Sequence, residues 1–235
     1  KYFYRSLKHK WYRPLFLDLL LNDIHFNFLK KKDVNFSTIF FNAAAHIQHH
    51  YFFNSLANKN SFKNPEIKGK KNSDTFEECL NLYEKILEDY VGNDDFRIIL
   101  ATGLTQLPSK ELEYYYRLNN HDLFFRNIGL KFKKIYPRMS RDFLVEFHND
   151  KDRDEFFNKI FDLKLNKQIF FGTIDKRDKS LFISLTYDKE ILRKDYLIFN
   201  NKEINIFKLV SFVSLKNGIH NQKIFLYFDD KIKNF

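Results

Sequence analysis

The chain has 235 residues, 44% of them apolar and 30% charged, with a formal net charge of +10 from 40 Lys and Arg against 30 Asp and Glu. That length supports one domain, or one and a half, with a sizeable core, and no apolar run approaches the length of a bilayer crossing, which argues against a membrane-spanning protein. The basic balance favours anionic partners through a long-range field, yet the Lys excess is scattered. Lys30–Lys32, Lys68–Lys71 and Lys131–Lys134 are short clusters of the kind that form solvated loops. The 29 Phe residues stand beside few glycines and prolines, 6 and 4, a pattern of biased nucleotide composition rather than of a base-stacking platform.

The N-terminus, Lys1-Tyr2-Phe3-Tyr4, carries neither an initiator Met nor the apolar stretch and cleavage site of a signal peptide, so the chain is expected to be N-terminally incomplete. Cys79 is the one cysteine. It can form no internal disulfide, which fits a reducing, cytoplasmic setting, and it reads as a small buried hydrophobe rather than a nucleophile.

Along the chain, residues 14 to 31 read as a helix. Leu15, Phe16, Leu19, Leu20, Ile24, Phe28 and Leu29 recur at the spacing of one apolar face, and Pro14 suits a first turn. Asn35 to Phe41 is a short β-rich run, and Ala43 to Leu56 holds strong helix formers, together a strand-then-helix unit. After a polar loop over 57 to 73, Ser73 is expected to cap a helix with Phe76, Leu80, Tyr83, Leu87 and Tyr90 on one face. Phe96 to Ala101 is the near-continuous apolar run of a strand buried on both faces of a parallel sheet, opening into the loop Thr102–Gln106 where ligands of such sheets sit. Beyond it the pattern mixes. Leu123–Ile128 and Glu155–Leu163 look helical; Leu130–Tyr136, Phe143–Phe147, Leu209–Leu215 and Ile224–Phe228 look extended. Ile169–Thr173 and Leu181–Thr186 suggest a hairpin around Asp175–Asp178. The expected fold is α/β: a mixed, mainly parallel sheet flanked by helices, forming a single domain over 1–235 with an α+β insertion over 111–208.

His46, His49 and His50 stand at i, i+3 and i+4, which places three imidazoles on one helical face within a turn. Imidazoles at that spacing suit a Zn²⁺ ion, while solvated or packed histidines are an equal reading. Gln48 and Tyr51 beside them could contact substrate. Gly218-Ile219-His220 lies between two strands, where Gly218 permits a sharp turn and His220 projects from a sheet end. In Tyr136-Pro137-Arg138-Met139-Ser140-Arg141-Asp142, Arg138 and Arg141 could grip a phosphate or sulfate through paired hydrogen bonds. A plain loop with one ion pair is the competing reading. A P-loop, a Rossmann glycine fingerprint, a Gly-x-Ser-x-Gly elbow and paired cysteines are all missing from the sequence.

Phe41-Asn42-Ala43-Ala44-Ala45-His46, Ile98 to Thr102, and Gly218-Ile219-His220 followed by Ile224-Phe225-Leu226 together resemble the C-terminal part of the alkaline phosphatase superfamily, which includes phosphodiesterases, nucleotide pyrophosphatases and sulfatases. There, one metal site takes an Asp at a strand end, a His four residues later and a late His in a Gly-x-His turn. The resemblance implies a single zinc or manganese site built from His46, His220 and Asn42, completed by His49 or His50. It departs from the family at Asn42, which stands for the Asp, and at Leu104 and Thr105, which stand for an Asp-His pair. The nucleophile would lie upstream of Lys1. The implied function is metal-dependent hydrolysis or transfer on phosphate or sulfate esters of a small molecule or glycan, with Arg138, Arg141, Gln48 and Tyr51 toward substrate. The alternative from another class is a non-catalytic basic domain that binds an anionic glycan or nucleic acid.

Overall fold

The computed structural model describes residues 1–31, 33–59, 61–65, 74–91, 93–200 and 202–229. The chain divides into two compact units, the first formed by 1–111 with 216–235 and the second by 112–215.

The first unit opens with helices α1 (Tyr2–Lys8), α2 (Tyr12–Lys31), α3 (Ala43–Tyr51) and α4 (Thr75–Val91), then strands β1 (Ile99–Ala101) and β2 (Gln106–Pro108). Its core is Trp11, Tyr12, Leu15, Ala43, Ile47, Cys79, Leu82 and Ile86, where α2, α3 and α4 meet. The stripe that α2 buries is Tyr12, Leu15, Asp18 and Asn22; of the apolar face expected from periodicity Leu15 is buried and Leu19 packs on the core, but Leu20, Ile24 and Phe28 are 41–60% exposed. Two polar side chains win those inward positions because each has a partner there. Asp18 accepts from the start of α3, and the Asn22 amide donates to Asp89 at 3.1 Å. Asp74 caps α4 by accepting from the Phe76 and Glu77 amides; Ser73, the expected cap, lies outside the described residues. Cys79 is fully buried, and burial pushes its thiol up to about 12, so it packs as an inert hydrophobe.

The second unit begins with β3 (Tyr114–Leu118), α5 (His121–Asn127), β4 (Lys134–Pro137), β5 (Asp142–Glu146) and α6 (Asp150–Ile160). It continues through β6 (Lys164–Leu165), β7 (Gln168–Ile169), β8 (Phe171–Arg177), β9 (Ser180–Leu185), β10 (Tyr196–Phe199), β11 (Lys202–Asn205) and β12 (Val210–Leu215). Its sheets run β4-β5-β9-β8, β11-β10-β6-β7 and β12-β3. Alternate residues Phe143, Val145, Leu181, Ile183 and Leu185 are buried with Phe125, Phe156 and Phe171 in one aromatic core, the period-two pattern of a sheet with one covered face. Asn120 and Asn149 cap α5 and α6 through their side-chain oxygens.

The chain then returns to the first unit as β13 (Gly218–His220) and β14 (Leu226–Phe228), which pair with β2 and β1. Every strand pairing among the described residues is antiparallel, in sheets of two to four strands. The expected mainly parallel α/β sheet is therefore incorrect. Residues 35 to 41 form no strand, so the strand-then-helix unit is absent. In β1, read as doubly buried, all three residues are exposed and β14 is the one partner among the described residues. An apolar run reports that a segment can be buried; it does not report which strand comes beside it.

His121 gives the second unit an acid sensitivity. It is buried at the start of α5 with its ring 4.8 Å from Phe143. Burial, then the Arg117 charge, hold its pKa down to about 4 from an ordinary 6.5. The unfolded chain binds the proton first, so stability is full above pH 6.5 and falls as the pH drops toward 4. Denaturant midpoints across that window should decline less steeply in His121→Gln than in the parent. An identical slope would remove His121 as the source.

Candidate functional site

The site is built on α3. Asp18 organises its N-terminus by accepting from Asn42 N at 3.3 Å and Ala43 N at 2.7 Å. Tyr83 donates its hydroxyl to Asp18 at 2.8 Å and accepts from Ala44 N at 3.0 Å. A carboxylate at a helix N-terminus satisfies amides that have no partner within the helix and favours the dipole. Ala43 and Ile47 are fully buried on the core side, which leaves His46, His49 and His50 half-buried along the rest of the helix.

Asn217 draws the returning strand to this helix. It is fully buried; its backbone N–H donates to His49 O at 3.2 Å, and its side-chain oxygen accepts from Phe53 N and from the Asn64 amide, both at 2.8 Å. The next residue must be small. A Cβ at Gly218 would stand 2.5 Å from Gln106 Oε1 and 2.9 Å from the Gln48 carbonyl oxygen. The glycine of the Gly-x-His turn is thus required by close approach to α3, since its φ is not in the left-handed region. β13 then pairs with β2 so that His220 lies directly opposite Gln106.

The imidazoles fall into two pairs. The rings of His46 and His50 are 4.6 Å apart, and those of His49 and His220 are 4.9 Å apart and edge-on. Gln106 Nε2 lies 3.1 Å from His49 Nε2; with the amide donating, the His49 proton sits on Nδ1. Burial lowers the pKa of His46; burial, then His220 and His46, lower that of His49; burial, then His46 and His49, bring His50 down to about 4. These three rings are therefore neutral at pH 7, the form that ligates a metal. Tyr51 sits 6.3 Å from both His46 and His50, and burial raises its phenol, so it stays protonated.

Two imidazoles on one tetrahedral ion, at nitrogen distances of about 2.0–2.1 Å, hold their ring centres about 5 Å apart. The ring-centre distances of both pairs are compatible with that spacing. Among the described residues no group of three or more His, Cys, Asp or Glu is placed to hold one.

His220 meets His49, not His46, and Asn42 is exposed with no capping bond from its side chain. Gln48 contributes through its backbone carbonyl, which faces Gly218. Leu104 is 53% exposed. Arg138 and Arg141 belong to the second unit and have different surroundings. Arg138 is exposed and lines an open cleft with Tyr136, Arg177 and Lys179, whereas the Arg141 guanidinium stacks 4.3 Å from the centre of the Tyr115 ring.

Three residues escaped the sequence reading: Asp18, Gln106 and Asn217. Gln106 belongs to the loop marked as a ligand-bearing strand end, but nothing in its residue type distinguishes it. Asp18 interrupts an apolar helical face, and that interruption is the signal that was available. Among the described residues no helix is long and apolar enough to cross a membrane. No family model, no curated protein and no solved structure matches the chain.

Proposed function

We propose that the histidine face of α3 with β13 is a site for phosphate or sulfate esters, of the alkaline phosphatase superfamily type, serving hydrolysis or transfer. One observation supports this reading. The segments that carry the resemblance, 41–46, 98–102 and 218–220 with 224–226, lie far apart in sequence, yet β1 pairs with β14 with Ala101 opposite Leu226, and β13 packs on α3. His49 and His220 would hold a zinc or manganese ion, with His46 and His50 as a neighbouring pair. When bound, such an ion polarises an ester oxygen as a Lewis acid. The protein's own part is to hold neutral imidazoles in place: Gln106 fixes the His49 tautomer, and Asn217 and Gly218 set the distance between β13 and α3. The Tyr51 hydroxyl remains a hydrogen-bond donor for an anionic oxygen. None of the chain's residues is assigned as nucleophile.

A second reading, non-catalytic binding of an anionic glycan or nucleic acid, draws on the cleft lined by Arg138, Arg177 and Lys179. One set of measurements separates them. Metal content of the purified protein is determined first, followed by calorimetric titration with inorganic phosphate and with sulfate. Bound zinc or manganese, and anion affinity that falls in His220→Ala, are expected. The ester-site reading is abandoned if no zinc or manganese is present at any stoichiometry and neither His46→Ala nor His220→Ala alters anion binding. Salt-sensitive polyanion binding that tracks Arg138 and Arg177 would then favour the second.

A further inference from the structure

We infer that the side-chain oxygen of Gln106 is the third donor of a cation site whose other two ligands are His49 and His220. The inference rests on the ester-site reading above and adds to it a ligand outside the usual His, Cys, Asp and Glu set.

Gln106 is 6% exposed, and its Oε1 is a buried acceptor with no hydrogen-bond partner among the described residues. An acceptor in that position costs about 1–3 kcal/mol when left unmade, so a native site that retains one calls for a use of it. Its surroundings supply that use. Gln106 and His220 are directly opposite in the β2–β13 ladder, so their side chains leave the same face of the ribbon. α3 packs on both strands, and His49 on that helix brings its ring to 4.9 Å from His220 and its Nε2 to 3.1 Å from the Gln106 amide nitrogen.

The two ends of a planar amide exchange places by rotation about the Cγ–Cδ bond. After that rotation Oε1 stands where Nε2 stands now, 3.1 Å from His49 Nε2. Two donor atoms on one tetrahedral ion at about 2.0–2.2 Å lie about 3.3 Å apart, so an ion fits between them with little further movement. The amide that donates to the His49 lone pair thereby becomes the ligand beside it. A Cβ at Gly218 would stand 2.5 Å from Oε1 and obstruct that rotation. The resulting donor set is two imidazole nitrogens and one amide carbonyl oxygen, leaving a fourth position for water or an ester oxygen. With no anionic ligand, the bound ion keeps its full positive charge toward an anionic substrate.

The test is titration with Co²⁺ alone, read from its visible ligand-field absorption, in a His50→Ala background that removes the neighbouring pair. Near-ultraviolet circular dichroism establishes that each variant is folded. Loss of even an outer partner of a metal ligand costs about 10–100-fold in affinity, so Gln106→Leu should weaken Co²⁺ by at least about ten-fold, and His220→Ala should do the same. Gln106→Glu supplies an anionic oxygen at the same place and should tighten binding and intensify the absorption. If Gln106→Leu fails to fold, Gln106→Met, which keeps the length of the side chain without its carbonyl, carries the test with the same loss expected. Equal affinity in the parent and in Gln106→Leu would overturn the assignment of Gln106 while leaving a two-histidine site and the ester reading in place. A parent that takes up no Co²⁺ would overturn both.

Discussion

Asn217→Ala is expected to destabilise the first unit by about 3–4 kcal/mol, lowering its urea midpoint and separating His220 from His49. The side chain removed is fully buried. Its oxygen accepts from Phe53 N, and it exchanges hydrogen bonds with Asn64 in both directions, each at 2.8 Å. Truncation strands the buried Phe53 amide, at about 1–3 kcal/mol, and one end of the half-buried Asn64 amide, at a smaller cost. The cavity adds a smaller amount. Asn217→Asp keeps the shape and the bond from Phe53 but turns the contact with Asn64 Oδ1 repulsive, so an intermediate loss is expected. Circular dichroism in urea reads the stability. A fall of less than about 1 kcal/mol for Asn217→Ala would mean that the turn at 216–218 is held by its backbone bonds to His49 and Ser109 alone.

Asp18→Ala should cost about 3 kcal/mol, and Asp18→Asn roughly half of that. The carboxylate is 3% exposed and joins three elements: its own α2, the first turn of α3 through two backbone amides, and α4 through Tyr83. Hydrogen bonds to a charged acceptor are worth about 1.5–3 kcal/mol each, and part of that gain already offsets the cost of burying the charge, so the bonds do not add in full. An amide at 18 retains one acceptor oxygen and loses the charge that complements the α3 dipole. A double-mutant cycle with Tyr83→Phe isolates the shared contribution, and coupling of about 0.5 kcal/mol or more is expected. Zero coupling would show that Tyr83 stabilises the helix pair by packing alone. Because Asp18 fixes the start of α3, its loss should also reduce any affinity carried by His46, His49 and His50.

Much of the local structure was legible. The helix over 14–31 appears as Tyr12–Lys31, and the helix after the polar loop as Thr75–Val91, because apolar spacing of three and four residues is a local property. The helix carrying the histidines was expected to reach Leu56 but ends at Tyr51, where a turn of 3₁₀ helix takes over. In the second unit the hairpin appears as β8 and β9, although its turn falls at Asp178 and Lys179, later than read. The sheet itself departs from expectation. Phe96 to Ala101 has the composition of a doubly covered parallel strand, yet β1 pairs antiparallel with a segment more than a hundred residues away. Composition carries no information about such a partner.

The candidate site divides along the same line. The sequence by itself determined that three imidazoles share one helical turn and that a glycine precedes His220 by two residues, since both follow from spacing along one chain. It also pointed to an anionic ligand through charge and through the resemblance. Only the tertiary structure decided which histidines meet. His220 is set beside His49 because β13 pairs with β2 in a register that puts it opposite Gln106, and because Asn217 and the missing Cβ of Gly218 let that ribbon approach α3 closely. Gln106 and Asp18 gained their roles the same way. A polar side chain earns a buried position only from partners that long-range packing brings to it, and spacing along the chain cannot show those partners.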